Sequence, residues 1–97
     1  MRNFILLMHH DAVTESTPEM WSSSFSFLRG RNVFEGGSSI GAGEAFRKDA
    51  TPAHVSEHLS GYIRVQAESL SEARELLAGN PVFECGGTVE IRELPVE

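Results

Sequence analysis

Apolar positions along the chain switch between the two-residue spacing of strands and the three-to-four-residue spacing of helices. Phe4-Ile5-Leu6-Leu7-Met8 is an unbroken apolar run with aromatic and branched side chains, which predicts a strand. Side chains alternate across a strand, so Phe4, Leu6 and Met8 share one face and Ile5 and Leu7 share the other. Both faces are apolar. Such a strand needs cover on both sides, from within the chain or from a second subunit.

Ser16-Thr17-Pro18-Glu19 predicts a helix start, with Ser16 as the cap, Pro18 in the first turn and Glu19 as the capping-box partner. Met20, Trp21, Phe25, Phe27 and Leu28 then form an apolar face, and Gly30 is the expected stop. Residues 32–48 are rich in glycine and predict an irregular strand or bulged hairpin, most strand-like at Val33-Phe34 and Ala45-Phe46-Arg47. Asp49 to Pro52 reads as a turn, and Ala53 to His58 as a helical turn or a loop.

Leu59 to Ala67 predicts the clearest strand, with Gly61, Ile63 and Val65 on one face and Ser60, Tyr62, Arg64 and Gln66 on the other. Ser69-Leu70-Ser71-Glu72 is a second capping box, leading a helix whose apolar stripe is Leu70, Ala73, Leu76 and Leu77. Gly79-Asn80-Pro81 ends that helix. Thr88 to Leu94 predicts the last strand, with Val89 and Ile91 opposite Glu90 and Arg92.

This order predicts a single domain over residues 1–97 in the α+β class: a ferredoxin-like split βαβ sandwich, an antiparallel sheet with two helices on one face. The other sheet face would carry Ile5 and Leu7, or their alternates Phe4, Leu6 and Met8, among Tyr62, Arg64, Glu90 and Arg92. That surface is too apolar to stay wet and too polar for a dry core, so a second copy stacked on it, a homodimer, is the expected solution.

Two segments carry a resemblance. Residues 61–73, Gly-Tyr-Ile-Arg-Val-Gln-Ala-Glu-Ser-Leu-Ser-Glu-Ala, and residues 86–92, Gly-Gly-Thr-Val-Glu-Ile-Arg, with Asn80-Pro81 between them, resemble the C-terminal half of YCII-related proteins, closest to the DGPF-like subgroup. The resemblance implies a dimeric α+β barrel, in which two four-stranded sheets pack face to face around a cleft. The Asp-Gly-Pro-Phe segment that names the subgroup is absent. Some members carry a histidine early in the first helix and an aspartate before the proline that follows the second. Here those regions read Glu19-Met20-Trp21 and Asn80, so that acid/base pair does not transfer.

Composition narrows the partners. With 97 residues, a formal net charge of -6 and only short basic pairs (Arg29 with Arg31, Arg47 with Lys48), the chain is not expected to bind nucleic acid. One cysteine, Cys85, precludes an intrachain disulfide and suits a reducing compartment. The apolar run at 4–8 is too short for a leader or a membrane span, so a cytoplasmic location without membrane association is expected. Gly41 and Gly43 do not complete a dinucleotide fingerprint, no phosphate loop is present, and no cofactor is expected.

Candidate chemistry rests on histidines and arginines. His9 and Asp11 point to the same side of an extended segment, and a carboxylate beside an imidazole holds the tautomer that a general base needs near neutral pH. His9, Asp11 and His58 are therefore the candidate catalytic residues, weighed against a polar loop at a strand end. Tyr62, Arg64, Glu90 and Arg92 are the candidate ligand-binding residues. Arginine forks bind carboxylates bidentately, which suggests a small acidic metabolite; cross-strand ion pairs are the plainer alternative. His54 and His58 would share a face of a helical segment and offer two metal ligands, too few for a site without a third, so no metal is expected. The expected function is an enzyme of small-molecule metabolism with a histidine-assisted acid/base site in a dimer-associated cleft. The alternative is a non-catalytic ligand-binding or regulatory dimer module.

Overall fold

A computed structural model describes residues 1–96; Glu97, the last residue of the expected domain, lies outside them. The elements run β1 (Arg2–His9), α1 (Pro18–Gly30), β2 (Phe34–Ser39), β3 (Leu59–Ala67), α2 (Leu70–Glu75), α3 (Pro81–Glu84) and β4 (Val89–Leu94). The strands form one antiparallel sheet in the order β2-β3-β1-β4, with β1 and β3 at its centre. This is the split βαβ order expected from the pattern of elements.

One face of the sheet is the core. Phe4, Leu6 and Met8 of β1 and Ile63, Val65 and Ala67 of β3 are buried with Leu28 of α1, Ala73 of α2, and Leu76, Leu77 and Val82. The helices thus lie on the side of the even-numbered β1 residues, as alternation requires.

The helix termini are built by local hydrogen bonding. Thr17, not Ser16, caps α1: its Oγ1 accepts from Met20 N at 3.2 Å. Pro18 lacks an N–H and suits the first helical position, so the cap falls directly before it. Ser16 is left to accept from Trp21 Nε1 at 3.0 Å. Gly30 stays helical, and Asn32 takes the left-handed conformation that ends the helix, with φ 58°. Asn32 N donates to Arg29 O at 3.0 Å and Val33 N to Leu28 O at 3.2 Å, the paired bonds of a Schellman turn, with Val33 and Leu28 both buried beneath it.

Other elements differ from expectation. On α1 the face toward the core runs Trp21, Ser24, Phe25, Leu28, and Ser24 is buried while Phe27 is 36% exposed under the Arg31 guanidinium. Leu70 is 55% exposed, and Ala73, Leu76 and Leu77 fill the core without it. Pro81 does not merely stop a helix. Asn80 caps a further short one, α3, its Oδ1 accepting from Phe83 N at 3.1 Å. In the glycine-rich region one strand forms, with a bulge between Phe34 and Gly37, and Ala45 meets Ala53 in an isolated bridge. Residues 54–58 contain no helix.

Leu6→Ala should lower the unfolding free energy by about 3 kcal/mol through lost burial and a residual cavity. Leu70→Ala should change it by less than about 0.5 kcal/mol, as for most exposed positions. Urea midpoints at unchanged slope distinguish the two.

Candidate functional site

The face of the sheet turned away from the helices is uncovered in the single chain. Register arranges its side chains in rows across β3, β1 and β4: Gln66–Asn3–Leu94, then Arg64–Ile5–Arg92, then Tyr62–Leu7–Glu90. Ile5 and Leu7 form a half-buried apolar spine along the central strand, and polar groups flank it on both sides. His9 continues the spine at the end of β1.

Three hydrogen bonds to backbone groups fix His9 and its neighbour His10. His9 N donates to Thr88 O at 3.0 Å, His9 O accepts from Ser60 Oγ at 3.2 Å, and the neighbouring His10 N donates to His58 O at 2.8 Å. The register slips here, from Met8 opposite Gly61 to His9 opposite Leu59, so Ser60 bulges and lends its hydroxyl to the His9 carbonyl. The imidazole itself is 18% exposed. Its Nε2 lies 3.2 Å from Glu90 Oε1, and the His58 ring meets it edge-on with centroids 4.8 Å apart. Glu90 Oε2 in turn faces Arg92 Nη1 at 3.4 Å.

Asp11, expected beside His9, is engaged elsewhere. Its Oδ1 accepts from Thr88 N at 2.8 Å and its Oδ2 from Thr88 Oγ1 at 2.6 Å, so the loop after β1 is clamped to the start of β4. These bonds, the Thr88 hydroxyl before the Thr88 amide, hold the Asp11 carboxyl below the usual carboxylate range, with a smaller contribution from the nearby His9. The carboxylate that meets the imidazole belongs to Glu90, one strand away. A local-spacing argument looks along the chain for a partner. The antiparallel pairing of Leu7 with Glu90 supplies it diagonally across the sheet instead.

The remaining candidates are dispersed. Arg64 is exposed and makes no ion pair among the described residues; it and Arg92 stand on either side of Ile5. His54 and His58 lie on a non-helical segment, so the spacing that would align them on one helix face is not realised. No group of three or more His, Cys, Asp or Glu among the described residues is placed to hold a metal ion. Asn80 is 2% exposed, and its side chain both caps α3 and approaches Met8 Sδ at 3.7 Å, which makes it a packing residue. Cys85 is buried at 6% exposure.

Sequence reasoning also missed a cavity of about 290 Å³ on the other side of the sheet, bordered by Trp21 and Phe25 of α1 and by Gly37 and Gly61 of β2 and β3. The two glycines in neighbouring strands were its signal. A Cβ at Gly37 would lie 2.5 Å from the Tyr62 carbonyl oxygen, so the strands approach there more closely than a side chain allows.

No helix of the described residues is long and apolar enough to cross a membrane. No family model matches the chain, and no curated protein matches it. Among solved structures it is similar to 5-chloro-2-hydroxyhydroquinone dehydrochlorinase (TftG) from Burkholderia phenoliruptrix AC1100, in complex with 2,5-dihydroxybenzoquinone. The TM-score is 0.56 at 12% identity, covering 96% of this chain and 93% of that one. At that identity the similarity speaks for the fold: an α+β chain with one four-stranded antiparallel sheet and helices against it.

The Asp11 clamp has a testable pH signature. A carboxyl whose folded pKa lies below its ordinary 3.8 stabilises the fold fully above that value, and the contribution is lost as pH falls through the lowered folded pKa. Asp11→Ala should therefore melt below the parent protein at neutral pH. The two melting curves should converge on acidification, read by circular dichroism.

Proposed function

We propose that the chain works as a homodimer whose two uncovered sheet faces enclose a small-molecule site, and that His9, paired with Glu90, serves there as an acid/base catalyst. The observation that carries this reading is the imidazole at 18% exposure, gripped by the Glu90 carboxylate and bordered by the His58 ring on a face with nothing over it. Stacking a second copy would remove Ile5 and Leu7 from water and shield the His9–Glu90 pair, strengthening their interaction.

Arg64 and Arg92 suit an acidic ligand. They flank Ile5, four strand residues or about 13 Å from His9. An arginine side chain and an elongated small acid together span that gap. The carboxylate would sit at the arginines, and the atom that gains or loses a proton at the imidazole. Glu90 holds the ring and balances its charge when protonated. Asp11 enters as the residue that fixes where β4, and with it Glu90, begins. The resemblance of residues 61–73 and 86–92 to YCII-related proteins supports the dimeric barrel. The fold similarity to a dehydrochlorinase supports an enzyme acting on a small organic molecule.

Two measurements test the reading. Sedimentation of the purified chain should give a dimer, and Leu7→Arg, which places a charge on the spine, should give a folded monomer. A panel of small mono- and dicarboxylates, followed by thermal shift and by NMR for product, should yield an acid that stabilises the protein and is turned over. His9→Ala should then cut turnover by about 10²–10⁴-fold while leaving stabilisation in place, and Arg64→Ala with Arg92→Ala should remove the stabilisation. A folded parent protein that sediments as a monomer at high concentration rules the proposal out. Stabilisation by an acid that is never consumed leaves the chamber but removes the catalyst.

A further inference from the structure

The cavity under α1 belongs to a different part of the molecule from the His9 cluster, and its chemistry is different. Every residue that borders it is uncharged. Its walls are Trp21 and Phe25, ring centroids 6.0 Å apart and tilted by 31°. Its floor includes Gly37 and Gly61, which pair with Ile63 and Ser39 and so share the helix-covered face of the sheet. Ser39, on that same face, stands at its edge, whereas Tyr62 borders it through the backbone and carries its side chain on the open face.

Three features separate this cavity from a packing defect. The walls are held in place from outside. Trp21 Nε1 donates to Ser16 Oγ, and Phe25 meets Phe34 edge-on at 5.4 Å beneath the Arg29 guanidinium. Both wall residues remain only partly buried although they stand on the core-facing side of their helix. The surface they leave uncovered includes that facing the cavity. The floor joins the backbone of Gly37 and Gly61 to the apolar Met8 and Ile63. Pinned rings above such a floor make a slot, and a slot of about 290 Å³ sits at the lower end of the usual range for small-ligand sites.

We propose that this slot between α1 and the β2–β3 edge is a binding site for an uncharged, planar, single-ring compound bearing hydroxyl or carbonyl groups. A flat ring stacks against tilted aromatic walls in offset or edge-on fashion. A polar substituent meets the Ser39 hydroxyl at the mouth. A charged ring is disfavoured, because no cation or anion lines the slot to replace lost hydration. The walls are ordered before the ligand arrives, so binding costs little rearrangement.

The chain has one tryptophan, which gives the site its own reporter. Titrating 1,4-dihydroxybenzene into the full-length, nitrogen-15-labelled protein should move the Trp21 indole signal and the Gly37 and Gly61 amides saturably, with a common dissociation constant. Benzoate and cyclohexanol should bind at least about tenfold more weakly. Ser39→Leu, at an exposed position on the edge strand, should fill the mouth and weaken 1,4-dihydroxybenzene by about tenfold or more, in a protein whose remaining spectrum is unchanged. Trp21→Leu, read at the two glycine amides, should weaken it comparably. His9→Ala should leave this affinity untouched, so the slot and the open-face site stand or fall separately. Non-saturating shifts spread over the surface, equal binding of benzoate or cyclohexanol, or undiminished affinity in folded Ser39→Leu would each overturn the proposal.

Discussion

The structure depends on one mismatch: β1 is apolar on both faces, and the chain has helices for only one of them. Phe4, Leu6 and Met8 are sealed under α1, α2 and α3, whereas Ile5 and Leu7 face outward with polar residues on either side. A central strand cannot be turned to hide both sets, because its side chains alternate strictly. The helices therefore settle on the face with the larger side chains, and the remaining stripe becomes the feature around which the rest of the open surface is organised. Arginines, a tyrosine, a glutamate and a histidine all take their positions from their register against that stripe.

The elements with strong period were legible in the chain. Phe4–Met8 and Leu59–Ala67 could be assigned to strands from their runs and alternation, but only Leu59–Ala67 revealed its inner face, because β1 is apolar on both. Boundaries were less legible where two signals compete. Ser16 and Thr17 can both cap a helix, and the choice falls to Pro18, whose missing N–H defines the first helical position. Gly30 and Asn32 can both terminate it, and Asn32 does so because the Schellman turn brings Val33 down onto Leu28. Asn80-Pro81 closes one helix by opening the next. The long segment between β2 and β3 offered little pattern because its glycines satisfy many conformations equally well.

The candidate site was legible in its members and not in its pairings. His9, His58 and Glu90 were each identifiable, yet the natural partner by spacing was Asp11, and the structure commits Asp11 to Thr88. Antiparallel strands put residues eighty positions apart side by side, and no local rule reports which pair will meet. The same limit hid the slot beneath Trp21. A glycine in one strand looks like flexibility until a glycine in the adjacent strand turns out to lie on the same face.

The sheet also has two open edges, and they are closed to recruitment in different ways. β4 presents Arg92 and Glu93 along its length, and β2 is bent by its bulge between Phe34 and Gly37 and ends in two serines. Charge on one border and distortion on the other deny a further chain the straight, apolar ladder that fibril growth needs. The rims thus oppose strand addition, and the apolar stripe that the single chain leaves open lies on the broad face of the sheet. A chain with so greasy a central strand is thereby kept from seeding an endless stack through its borders.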